Sequence, residues 1–283
     1  MIRTLLASLV LTALAAWGWR LRIGAPPDPG LGDHEEYRRW RTAPRPFAWR
    51  WLVPVVTGGR PLAWRGVTVL ALVASGPALS LYLVSRGASE LEALAGVAVW
   101  SCLPAIWERH GQVLYLVDAP ALVFALVAAS SALDWPVRVG AALLAGATRE
   151  SAPVLAACFA WSWLPLLGLL AVPWWRGGQP WRSWELYEHP WRTFAARRWQ
   201  AGWSLEAHVI PFGGAVAGFA TTDPRVWAAV AVSALPVLRS VDTARLLVQA
   251  APAVIAAAVI GASSGALVGM MALGLVLSSW WQA

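Results

Sequence analysis

The chain has 283 residues, of which 58% are hydrophobic and 13% charged, and its mean hydropathy is +0.56. A single soluble core of this length has no room for so much apolar side chain, so the composition excludes an ordinary water-soluble globule and implies an all-α, polytopic membrane protein. The net charge of +7 comes from 22 basic residues, all arginine; with no soluble domain to hold a duplex, it points to anionic lipid or a lipid-linked phosphate, not to nucleic acid.

The first apolar run, residues 5–19, has Arg3 before it and Arg20 and Arg22 after it. It is short for a crossing, and Ala13-Leu14-Ala15 also resembles a small-residue signal-peptide cleavage site. Both readings place the following loop, residues 21–63, outside the cytoplasm. That loop holds the densest run of ionisable side chains in the chain, Gly32-Asp33-His34-Glu35-Glu36-Tyr37-Arg38-Arg39-Trp40, and then Pro46-Phe47-Ala48-Trp49-Arg50-Trp51-Leu52-Val53-Pro54. A bilayer protein gains no stability from crowding carboxylates, a histidine and arginines beside Trp and Pro, so the cluster is a candidate site. Residues 37–51 fit an amphipathic segment lying along the interface. The structural alternative for Asp33 is a helix N-cap with Glu36 completing a near capping box, and for Arg50 it is snorkelling to lipid headgroups.

Further apolar runs cover residues 64–84, 91–107, 112–133, and 137–148 continuing past a polar break to 172. After a Trp- and Arg-rich connection, 173–206, come 209–221, 226–238, 246–260 and 266–281. Several fall short of the ~20 residues of a full crossing, so the expected architecture is eight to ten transmembrane or re-entrant helices with short interfacial helices, in one membrane domain. The connection 173–206 reads as an interfacial helix. With the amino terminus inside, the loops assigned outside hold twelve arginines and those inside ten, which gives no orientation. Trp17, Trp64, Trp135, Trp174 and Trp227, near the ends of apolar runs, suit the headgroup level.

Within the runs, Asp118 is a lone carboxylate in Leu114-Tyr115-Leu116-Val117-Asp118-Ala119-Pro120, near the external face or clamping two helices. Arg149 and Glu150 interrupt an apolar stretch, either neutralising each other at a hairpin apex or reaching separate partners, with Arg149 then binding lipid phosphate. Cys102 and Cys158 lie in apolar segments without metal-site spacing, and His110, His189 and His208 are isolated.

Taken in order, Asp33-x-x-x-Tyr37, Pro46-Phe47-x-x-Arg50-x-Leu52-x-Pro54, Asp118, Thr148-Arg149-Glu150, and Asp242-x-x-Arg245 with Pro252 resemble small bacterial members of the GT-C-type integral-membrane glycosyltransferases, over about residues 30–255. The resemblance implies an enzyme of the bacterial inner membrane that takes a sugar from a polyprenyl-phosphate donor to an extracytoplasmic acceptor. It also implies that an acidic residue of the first external loop, matched by Asp33, is the catalytic centre. The chemistry needs a carboxylate to take the acceptor proton and cations to offset charge on a phosphate leaving group. Asp33 with Glu35 or Glu36 is the candidate for the first, and Arg38, Arg39, Arg41, Arg45 and Arg50 for the second; Tyr37, Arg50, Asp118, Arg149, Glu150, Asp242 and Arg245 are the candidate substrate contacts. Asp33, His34 and Glu36 form a candidate set for a divalent ion, Mg or Mn. Two other readings are a transporter or flippase, with Asp118, Glu150 and Asp242 meeting at the bilayer midplane, and a nonenzymatic assembly subunit that docks a partner on its Trp-rich connection. The transferase reading instead expects the charges to meet at one face, under loop 21–63.

Overall fold

A computed structural model describes residues 1–23, 50–103, 117–174, 210–234 and 248–280. Among them regular structure is entirely helical, as expected. In chain order the α-helices are α1 (Ile2–Ile23), α2 (Leu52–Thr57), α3 (Pro61–Ser85), α4 (Glu90–Ser101), α5 (Asp118–Ala129), α6 (Trp135–Thr148), α7 (Ala152–Ala160), α8 (Pro224–Ala234), α9 (Ala251–Val259) and α10 (Ser264–Trp280). Three 3₁₀ helices, Leu164–Ala171, Ile210–Phe219 and Val248–Ala250, are interleaved with them.

Of the described helices only α3 is long and apolar enough to cross a membrane. Helices α4, α5, α8 and α9 are shorter than the runs expected from sequence. The nine residues of α7 and of α9, at 1.5 Å per residue, reach only about half of a ~30 Å hydrocarbon layer. The run 137–172, expected to contain one polar break, reverses twice: at Arg149-Glu150, and again at Trp161, whose left-handed backbone (φ 51°) ends α7. The 3₁₀ helix Leu164–Ala171 then returns along α6. The approach is close enough that a Cβ at Gly146 would meet the Gly168 carbonyl and one at Gly168 the Ala142 carbonyl, so only glycine fits this pair.

Helix α1 has inverted polarity. Thr4, Ser8 and Thr12, spaced one turn apart, are buried, while Ile2, Leu6, Val10, Leu14 and Trp17 are exposed. The buried stripe packs on α3 at Gly76, where a Cβ would meet the Thr12 side chain and the Ser8 carbonyl. Pro77, inside α3, has no N–H to give to the carbonyl four residues back. That carbonyl, of Val73, instead accepts the Thr12 hydroxyl at 2.8 Å. Inside the bundle Trp100 donates to Ser75 at 2.9 Å, and Tyr82 packs on Phe159. Trp64, expected at a membrane interface, is instead fully buried against Val53 and Val117. Trp17, Trp135, Trp174 and Trp227 are exposed.

Polar contacts sort the helix termini into two ends. At one, the turn end, the Met1 ammonium pairs with Glu90, Arg86 with Asp223 at 2.7 Å, and the Gly261 amide donates to Glu92. Short described turns at residues 86–89, 130–134, 161–163, 220–223 and 260–263 close this end. Ser89 and Glu92 form a reciprocal capping box at the start of α4. The opposite end gathers Arg50, the start of α5, the α6–α7 break, the end of the helix Leu164–Ala171 and Gln249.

Candidate functional site

The site lies at that second end and is built from helix termini. Asp118 is the first residue of α5, where the helix dipole favours a carboxylate. The N-cap, Val117, has no side-chain capping group. The Asp118 side chain turns inward, pairing with Arg149 and accepting a hydrogen bond from Gln249 Nε2 at 2.9 Å. Asp118 and Arg149 are about 95% buried, and their pairing offsets part of the cost of burying two charges. A lone charge in such surroundings would be costly.

Arg149 follows the last residue of α6 in extended conformation (φ −156°, ψ 128°). Consecutive side chains of extended backbone diverge, which sends Arg149 toward Asp118 and Glu150 toward Arg50. Arg50 grips Glu150 with two parallel bonds, Nε to Oε2 at 2.9 Å and Nη2 to Oε1 at 2.7 Å. This fork geometry gives direction as well as strength. Beside it the Trp51 indole donates to the Ala171 carbonyl at 3.2 Å, so residues 50–51 are tied both to the α6–α7 break and to the end of the following 3₁₀ helix.

Of the two arrangements open for Arg149 and Glu150, the structure therefore has separate partners and not a mutual pair. No family model, curated protein or solved structure matches the chain. What the site does must accordingly be argued from its own residues.

Four of the candidate residues, Arg50, Asp118, Arg149 and Glu150, are brought together. Asp33, His34, Glu36, Tyr37, Asp242 and Arg245 lie outside the described residues. Among the described residues no group of three or more His, Cys, Asp or Glu side chains is placed to hold a metal ion; the candidate set Asp33, His34 and Glu36 is not among them. Sequence reasoning missed Gln249, although it is the one amide in the otherwise apolar Leu246-Leu247-Val248-Gln249-Ala250-Ala251-Pro252. A lone buried amide just ahead of a proline-containing helix start was the available signal.

A second polar cluster closes the turn end. Asp223 accepts from the Arg225 amide at 2.9 Å and from Arg86, which also donates to the Tyr82 hydroxyl at 3.0 Å. Burial alone would raise the Asp223 carboxyl, but the Arg225 amide and the Arg86 guanidinium outweigh it and hold the group below the ordinary carboxylate range. Every partner in this cluster is another helix terminus, so its work is to fasten α3 to α8.

Proposed function

We propose that the chain is an integral membrane glycosyltransferase of the GT-C type, with the Asp118–Arg149 end as its working face and a polyprenyl-phosphate sugar as donor. The observation that carries this reading is the gathering of Asp118, Arg149, Gln249, Arg50 and Glu150 at one end of the helices. Asp33, Glu36 and Tyr37 precede Arg50 in the chain by fewer than twenty residues. In this reading Asp33 takes the acceptor proton and the arginines offset charge on the departing phosphate. Asp118 and Glu150, each engaged by a guanidinium, orient those cations and do not serve as bases.

The membrane part is supported by the inverted polarity of α1 and by the large apolar side chains exposed along other helices, among them Leu62 and Leu70 of α3, Trp135 and Val137 of α6 and Val268 of α10. Hydroxyls turned inward and aliphatics turned outward suit a lipid solvent. Against the transporter reading, the described charges pair at helix termini and not half-way along a helix. The bacterial inner membrane is the location this reading implies.

The test uses purified protein in detergent with a radiolabelled polyprenyl-phosphate sugar and a hydroxyl acceptor. Wild type is expected to transfer label, and Asp33→Asn to lose about 10²- to 10⁴-fold, the typical contribution of a general base. Asn is about as good a helix cap as Asp, so a fully active variant returns Asp33 to a structural role. Absence of transfer by the wild-type protein removes the transferase reading.

A further inference from the structure

We infer that Gln249 recognises a hydroxyl group of the donor sugar. The inference rests on the sugar-phosphate part of the proposed function and extends it, because the arginines there meet the phosphate and Asp33 the acceptor, while nothing yet meets the sugar ring. Gln249 stands on the short 3₁₀ helix Val248–Ala250, and its Nε2 donates to Asp118 Oδ1 at 2.9 Å across 131 residues of chain.

That bond fixes which way round the amide sits. A carboxylate paired with a guanidinium accepts hydrogen bonds and gives none, so it selects the NH2 group of the glutamine over its carbonyl. Flipping the amide would set two acceptors against each other, so Oε1 stays turned away from Asp118. No donor among the described residues reaches it, and the chain neighbours Val248, Ala250, Ala251 and Pro252 carry no side-chain donor.

Gln249 is only 8% exposed. A carbonyl oxygen so nearly enclosed costs free energy when nothing donates to it, whereas one on an open surface is hydrated. An unpartnered acceptor calls for a ligand that donates. The phosphodiester of a polyprenyl-phosphate sugar has no proton to give, so the phosphate is not that ligand; a ring hydroxyl is. The placement agrees. Asp118 Oδ1 takes both the Arg149 guanidinium and the Gln249 amide, so the cation assigned to the phosphate and the acceptor assigned to the hydroxyl are separated by one carboxylate, a distance that a single sugar ring covers. Discrimination by such a contact is steep, because an analogue lacking the hydroxyl leaves the enclosed oxygen unpaired again.

Affinities for the purified protein in detergent are measured with inorganic phosphate, with glucose, galactose and mannose 1-phosphates, and with the monodeoxy forms of whichever hexose phosphate binds best. Wild type is expected to bind one hexose 1-phosphate more tightly than inorganic phosphate, and one deoxy form of it about 10-fold more weakly, the scale set by leaving one buried hydrogen-bonding group unpaired. In Gln249→Met, close in shape but without the amide, that parent-to-deoxy ratio should fall to about 1, since the variant and the deoxy sugar remove the same contact. Deoxy forms that all bind the wild type like their parent overturn the inference without any variant, as does a wild type that prefers no hexose phosphate to inorganic phosphate. So does a Gln249→Met protein that weakens every probe alike and keeps the ratio, which leaves Gln249 as a support for Asp118. If the radiolabelled transfer assay fails while the discrimination holds, the transferase reading falls and a sugar-phosphate binding site remains.

Discussion

Replacing Asp118 by Asn tests whether the buried pair is a structural unit. The carboxamide oxygen of Asn can still accept from Gln249, whose amide lies 2.9 Å from Asp118 Oδ1, so the change removes one charge and little else. Arg149, 5% exposed, then faces an amide where the Asp118 carboxylate stood. Breaking one side of a buried ion pair costs about 3–5 kcal/mol. For a chain of this size each kcal/mol moves the midpoint by roughly 2–4 °C, giving an expected loss of about 6–20 °C in a thermal melt of the detergent-solubilised protein. The double substitution Asp118→Leu with Arg149→Met removes both charges, and it should recover most of that loss because apolar replacement of a buried pair is often close to neutral. An Asp118→Asn protein that melts with the wild type would refute the reasoning. So would a double variant no better than the single.

Gly168→Ala should lower the midpoint, since its methyl meets the Ala142 carbonyl and overpacking costs about 1–3 kcal/mol. Gly66→Ala, with open space where its methyl would lie, should raise it, since alanine stabilises a helix interior by about 0.5–1 kcal/mol over glycine; equal effects from the two substitutions would argue against the close approach. At the turn end, the depressed Asp223 carboxyl contributes stability that is fully present above its unfolded pKa and is lost as pH falls through the lower folded value. Melts between pH 6 and 3 should therefore show wild type losing its advantage over Asp223→Asn below about pH 4, and a constant gap between the two would count against the Arg86 pairing.

The helical class was legible in composition alone, because so apolar a chain has few other ways to satisfy its backbone. The break at residues 149–150 was legible too, as two charges inside an apolar run. Its consequence was not: Arg149 finds Asp118 and Glu150 finds Arg50 across long sequence separations, and the local pattern could not distinguish that from a mutual pair. The reversal at Trp161 escaped notice because no glycine marks it and apolar residues continue on both sides. Trp64 was misread for a related reason, since an indole at the start of an apolar run looks the same whether it faces headgroups or the Val53 and Val117 side chains that cover it.

The hydroxyl of Thr12 on the Val73 carbonyl bears on the order of assembly. In a bilayer α3 would carry a carbonyl that its own proline cannot satisfy, and the donor comes from a helix synthesised some sixty residues earlier, with |i−j| of 61 between the bonded groups. By the time α3 is inserted, α1 is already available to receive it. A chain cut at Ala13-Leu14-Ala15 would lose Thr4, Ser8 and Thr12 together, leaving the Gly76 notch empty and the Val73 oxygen without its Thr12 donor. The first helix thus supplies the donor that α3 cannot supply for itself.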